Sequence, residues 1–215
     1  MSDADTPWPD VRRSIFSMEG PAADSSTKCF IDHMGLFEFG ASYIADQYKR
    51  AADQLVEMQK KGGDPYHPDG LFMPIGYLYR HAIELKLKGL LGKIIQCDLA
   101  KDENDALGGH GLIKLWDAIK PALVDQWPKA DRKPLNNAEA LIRDFHRIDK
   151  SGQSLRYSST KNGSNVKNGF PKVVRLEMLQ EAVSEMYNLL DGCEMHFDNI
   201  LEYIAESRRD CAMDY

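Results

Sequence analysis

The sequence predicts an all-α protein, an antiparallel bundle of about five long helices. Three observations carry this expectation. Apolar residues recur at three- and four-residue spacing through five long stretches, and no stretch alternates convincingly in the manner of a β-strand. A third is a 15-residue segment, Tyr77-Leu78-Tyr79-Arg80-His81-Ala82-Ile83-Glu84-Leu85-Lys86-Leu87-Lys88-Gly89-Leu90-Leu91, apolar over well over half of its helical circumference. A helix of that kind sits inside an assembly of other helices.

The elements follow in order. Residues 1–34 are rich in Pro, Asp and Ser and read as an N-terminal arm, with Trp8, Ile15 and Phe16 available for docking. A first helix is expected over 36–60, with Phe37, Phe39, Tyr43, Ile44, Tyr48, Leu55 and Met58 as its apolar stripe, ended by Gly62-Gly63-Asp64-Pro65. A second covers 70–95. Residues 102–109 read as a polar loop, and His110-Gly111-Leu112 leads into a third helix that Pro121 should kink or stop early. A fourth spans 135–148, with Ala138, Leu141, Ile142 and Phe145 inward and His146 on the exposed side. After a loop over 149–172, the last helix runs over 174–207 on Leu179, Val183, Met186, Leu190, Cys193, Phe197, Ile200, Leu201 and Ile204. Asn162-Gly163 and Asn168-Gly169 are turn dipeptides and suggest a short hairpin before that helix. The bundle domain is thus drawn over 35–208, with a tail over 209–215.

Composition narrows the function classes. With 33 acidic and 27 basic residues the net charge is −6, which excludes a generic polybasic coat for nucleic acid but not a local basic site. Cys29, Cys97, Cys193 and Cys211 have no CxxC spacing and read as reduced thiols of a cytoplasmic protein. The acidic start Met1-Ser2-Asp3-Ala4-Asp5 lacks the pattern of a signal peptide, and no apolar run is long enough to span a membrane. Metal-ligand spacing, phosphate-loop and dinucleotide fingerprints and nucleophile elbows are absent, so neither metal nor cofactor is expected.

Two regions carry chemistry. On the second helix Tyr77, Arg80, His81, Glu84 and Lys88 fall on one arc of about 100°. Charges in a buried helix must be paired or face a cleft. The second region is 150–176, which has no Asp or Glu but holds Lys150, Arg156, Lys161, Lys167, Lys172 and Arg175. Most of these lysines suit a solvated loop. Arg156, flanked by Leu155 and Tyr157, sits where the chain re-enters structure and offers a planar fork for an anion. The bland alternative for the helix is an i,i+4 pair between Arg80 and Glu84, with His110 capping a helix start.

Three pieces resemble HEPN-like proteins. Arg80-His81-Ala82-Ile83-Glu84-Leu85-Lys86-Leu87-Lys88 resembles the family's signature helix with its E-L-x-L-K core. His110-Gly111-Leu112 followed by Leu115-Trp116 resembles its His-x-Leu-x-x-Leu-Trp element. Asp149, Ser151 or Ser154, and Arg156-Tyr157 resemble its Asp…Ser…Arg-Tyr turn before the last helix. Together they span roughly 70–160, in the order the family shows. The resemblance implies an up-down helical bundle that often forms homodimers. It also implies a place in prokaryotic toxin–antitoxin or antiphage defence, with a partner protein encoded nearby. Many members are metal-independent ribonucleases using an Arg-x4-6-His motif, and no Arg here is followed by His at that spacing. Three readings stand. In the first, an RNA-directed effector uses Arg156, His110, Arg80 and Glu84 as its catalytic set. Anion contacts then come from Arg156, Tyr157, Lys161, Lys167, Lys172, His81 and Lys88. In the second, a non-catalytic module binds RNA, a nucleotide or a partner through the same cleft. In the third, a structural subunit carries the polar stripe as an internal salt-bridge network.

Overall fold

The computed structural model describes residues 40–62, 71–100, 104–157 and 170–213, all within one compact unit, Phe37–Tyr215. The arm at 1–34, the hairpin expected around 162–169, and Lys161 and Lys167 lie outside the described residues. The described residues are all-α, with no strand among them. Six helices follow one another: α1 (Gly40–Lys60), α2 (Phe72–Gln96), α3 (Asn104–Gly108), α4 (Leu112–Gln126), α5 (Lys133–Ile148) and α6 (Leu176–Met213). None is long and apolar enough to cross a membrane.

The core is built around α2, which packs on α1, α4 and α6. Pro74 falls in its first turn, where the missing N–H has no helical partner to lose. Ile75, Tyr79, Ala82, Ile83, Leu87, Leu90, Leu91 and Ile94 are fully buried. Each large aliphatic side chain of this set contributes roughly 1.5–3 kcal/mol through burial.

Helix α1 departs from expectation in how it packs. Its fully buried residues are Ala45, Ala52 and Val56, whereas Tyr43, Ile44, Tyr48 and Leu55 are half-buried and Met58 is 50% exposed. Small residues at the seam let α1 approach α2 closely. A Cβ built on Gly89 of α2 would lie 2.7 Å from Ser42 Oγ on α1. Large side chains therefore flank the contact rather than fill it.

Three further differences have local causes. The short α3 replaces part of the loop expected over 102–109, because Ala106 is buried in the core with Leu107 packed beside it. Pro121 neither stops nor shortens α4. Ile119, Ala122 and Leu123 around it are buried, and their packing carries the helix on to Gln126. Pro134 opens α5 at its first turn, so that helix begins at Lys133. At the C-terminus α6 continues to Met213, through residues expected to belong to a tail.

One buried charge lies off the polar arc. Lys86, 2% exposed, reaches from α2 to Asp191 at 2.5 Å and Glu194 at 3.0 Å on α6, with Asp46 of α1 at 3.9 Å. Glu194 also accepts a hydrogen bond from Ser42, and the Lys86 ammonium lies 5.6 Å from the Tyr187 ring centroid. Three helices thus meet on one cation. Burial alone would lower the Lys86 pKa, but the hydrogen bond to Asp191 and the charge of Glu194 outweigh it and raise it.

Candidate functional site

The polar arc of α2 faces two other segments, the residues before α4 and the turn at 149–157 after α5. Arg80, 2% exposed, is the bracket between them. Its Nη1 donates to Glu84 Oε2 at 2.9 Å, its Nη2 to the His110 carbonyl at 2.6 Å, and its Nε to the Asp149 carbonyl at 3.1 Å. Three separated nitrogens of one planar guanidinium each serve a different acceptor, a spread that the single nitrogen of a lysine cannot reproduce.

The turn is folded by its own polar groups. Asp149 is fully buried, and its Oδ1 accepts from the Gln153 and Ser154 amides at 2.8 and 3.0 Å. Among the described residues its Oδ2 has no hydrogen-bond partner; it lies 3.6 Å from Arg80 Nε, where charge attraction to the guanidinium holds it. Gly152 (φ +76°) lets the chain pass against Arg80, where a Cβ would lie 3.0 Å from Nη1. Leu155 is buried against Gly76 and pins the turn to α2. Gly152→Ala combines a left-handed backbone with a clash on a buried cation. It is expected to lower unfolding stability by about 1–3 kcal/mol in urea titration. A midpoint equal to the wild-type value would show that the turn is not held against Arg80.

On this frame stand the exposed groups. His110, with a side chain 61% exposed, holds its Nδ1 2.8 Å from Glu84 Oε1, and Lys88 Nζ reaches the same oxygen at 3.0 Å. Burial pushes the Glu84 pKa up. The hydrogen bonds from His110, Lys88 and Arg80 more than offset this and hold it below the ordinary carboxylate value. His110 does not cap α4: Gly111 is the N-cap residue, with no side-chain cap bond. The Arg80–Glu84 i,i+4 pair is present, but as part of a larger buried network.

Arg156 is exposed and donates from Nε to the Gly152 carbonyl at 2.8 Å. Its guanidinium carbon lies 5.3 Å from the Tyr77 ring centroid and 5.6 Å from that of Tyr157. His81 stacks on Tyr77 at 5.7 Å with 7° between planes and meets the edge of Tyr48 at 4.6 Å. Burial lowers the His81 pKa, and the charges of Arg80, Arg156 and His110 lower it further against the opposing Glu84. His81 therefore stays neutral to lower pH than an ordinary histidine.

Of the residues singled out in the sequence, Arg80, Glu84, His110 and Lys88 form one bonded group. Arg156, Tyr157 and His81 join it through Gly152 and Tyr77. Lys172 is exposed in the segment leading into α6. His146, expected on the exposed side of its helix, is half-buried with a buried, unpartnered Nδ1. Burial lowers its pKa, as do the nearby Lys150, Arg80 and Arg143. Asp149 was singled out only as part of the Asp…Ser…Arg-Tyr resemblance, with no role attached, and Gly152 had no signal beyond a Gly in the turn after a helix. Among the described residues no three His, Cys, Asp or Glu side chains converge as metal ligands.

Comparison with protein-family models, with curated proteins and with solved structures gave no match to this chain.

Proposed function

We propose that this chain is a HEPN-like protein of a prokaryotic stress or antiphage defence system. It acts on RNA in the cytoplasm as a homodimer or beside a partner protein, and it cleaves RNA by transesterification. The observation that carries the reading is the Glu84–His110 pair, a buried carboxylate on the inner nitrogen of an exposed imidazole, with Lys88 on the same carboxylate oxygen and Arg156 held on the adjoining turn by Gly152.

A carboxylate at Nδ1 favours the tautomer protonated there and leaves the Nε2 lone pair for an incoming proton. In RNA that proton comes from a 2′-hydroxyl. As the 2′-oxygen bonds to phosphorus, His110 takes its proton, and the bond from phosphorus to the 5′-oxygen breaks. The products are a 2′,3′-cyclic phosphate and a 5′-hydroxyl protonated by water. Arg156 and Lys88 supply cations for charge developing on the phosphoryl oxygens. Arg80 and Glu84, being buried, act by holding His110 and the Arg156 turn.

The test is incubation of purified protein with RNA in the presence of a metal chelator. Cleavage leaving cyclic phosphate ends is expected, and His110→Ala should slow it by about a hundred-fold. Cleavage that survives in His110→Ala would reject the assignment. The missing Arg-x4-6-His spacing favours a second reading, RNA or nucleotide binding without catalysis. Under that reading no cleavage occurs, yet oligonucleotide stabilises the fold and Arg156→Ala removes the effect.

A further inference from the structure

The exposed Arg156 belongs to a row of flat groups that crosses three segments. Tyr48 of α1 meets the His81 ring, His81 stacks on Tyr77 of α2, and the Arg156 guanidinium lies over Tyr77. The same guanidinium lies beside the Tyr157 ring, and Tyr157 is 56% exposed. Each step is 4.6–5.7 Å between centres. The inner members are fixed: α1 and α2 hold Tyr48, His81 and Tyr77, and the Gly152 carbonyl holds the Arg156 Nε–H. The outermost ring is therefore presented on a supported base, and its residue is more than half exposed to solvent.

We infer that Tyr157, backed by Arg156 and Tyr77, is a nucleobase subsite. An unpaired base of the bound strand stacks on the Tyr157 ring while its phosphate meets Arg156. This rests on the RNA reading above and adds a requirement to it. The bound nucleotide must be unpaired, since a base inside a duplex has both faces covered. Its base must be present, since phosphate contacts alone do not use the ring. Recognition through a ring face tolerates any base, because every base has one. Tyr157 is thus a determinant of strand state, and the cations Arg156 and Lys88 supply salt-dependent affinity.

The experiment uses the full chain and a fluorescein-labelled 2′-O-methyl oligonucleotide, which lacks the attacking hydroxyl and so reports binding alone. Its partner probe has the same backbone with every base removed. Wild-type protein should bind the base-bearing strand about ten-fold or more tightly than the abasic one. Tyr157→Ala should abolish that ratio, Tyr157→Phe should retain it, and Arg156→Ala should weaken both probes. Equal affinity for the two probes overturns the subsite, as does a ratio that survives Tyr157→Ala or a failure to bind either strand. Cleavage of natural RNA by wild type but not His110→Ala judges the catalytic reading separately. Intact cleavage with equal probe affinities removes the subsite and leaves the reaction standing.

Discussion

Replacing Arg80 with alanine is expected to destabilise the fold by about 3–5 kcal/mol, read as a lower urea midpoint. The size follows from what remains behind. Glu84 stays buried with one neighbour fewer, Asp149 keeps a buried oxygen that had only the guanidinium opposite it, and two carbonyls lose their donor. Arg80→Lys should recover little, because one ammonium nitrogen cannot occupy the three separate positions from which Nε, Nη1 and Nη2 donate. Amide exchange should rise most over 149–157, the turn that Arg80 anchors through Asp149. A fall of less than about 0.5 kcal/mol, the range of an unimportant surface change, would mean that the bracket is not structural. Acid should act at the same place. The Glu84 pKa is lowered in the folded protein, so its stabilisation is fully present above its ordinary value of 4.5. It is lost as pH falls through the lower folded value.

How much of this was legible depended on whether a signal was local. The five long helices came from periodicity, because burying one face of a helix leaves a repeat within a few residues. The polar arc on α2 was legible for the same reason: Arg80, His81, Glu84 and Lys88 share one arc of a mostly apolar helix and are conspicuous at helical spacing. That His110 and the 149–157 turn belong beside it followed only from a resemblance in motif order, since nothing local links Glu84 to a histidine 26 positions on. What could not be read was choice of partner. Lys86 sits among leucines within the same motif and gave no hint that its carboxylates lie over a hundred positions away on α6. The α1 seam was misjudged because large apolar residues dominate a periodicity count, while close helix approach selects Ala45, Ala52 and Gly89. Pro121 was read by its local rule, and the packing of its neighbours overrode that rule.

Lys86 gives the other large effect, and its test separates a paired charge from a merely tolerated one. Lys86→Met keeps the length and apolar body of the side chain but leaves Glu194, 6% exposed, with Ser42 and the more distant Lys93 as its partners among the described residues. A loss of about 3 kcal/mol is expected. Asp191 and Asp46 are half-exposed and can turn to water, so most of the penalty falls on Glu194. Adding Glu194→Leu to Lys86→Met should therefore restore much of the stability, since removing both members of a buried pair is far less damaging than removing one. An additive double mutant would refute the coupling and show that the contribution of Lys86 does not run through Glu194. Alkali supplies a second check. The Lys86 pKa is raised above its ordinary 10.5, so its contribution is complete below that value and disappears as pH climbs through the folded one. Wild type should lose stability in that range by more than Lys86→Met does. The two titrations bracket α2 from opposite ends of the pH scale, the Glu84 face failing in acid and the Lys86 face in alkali.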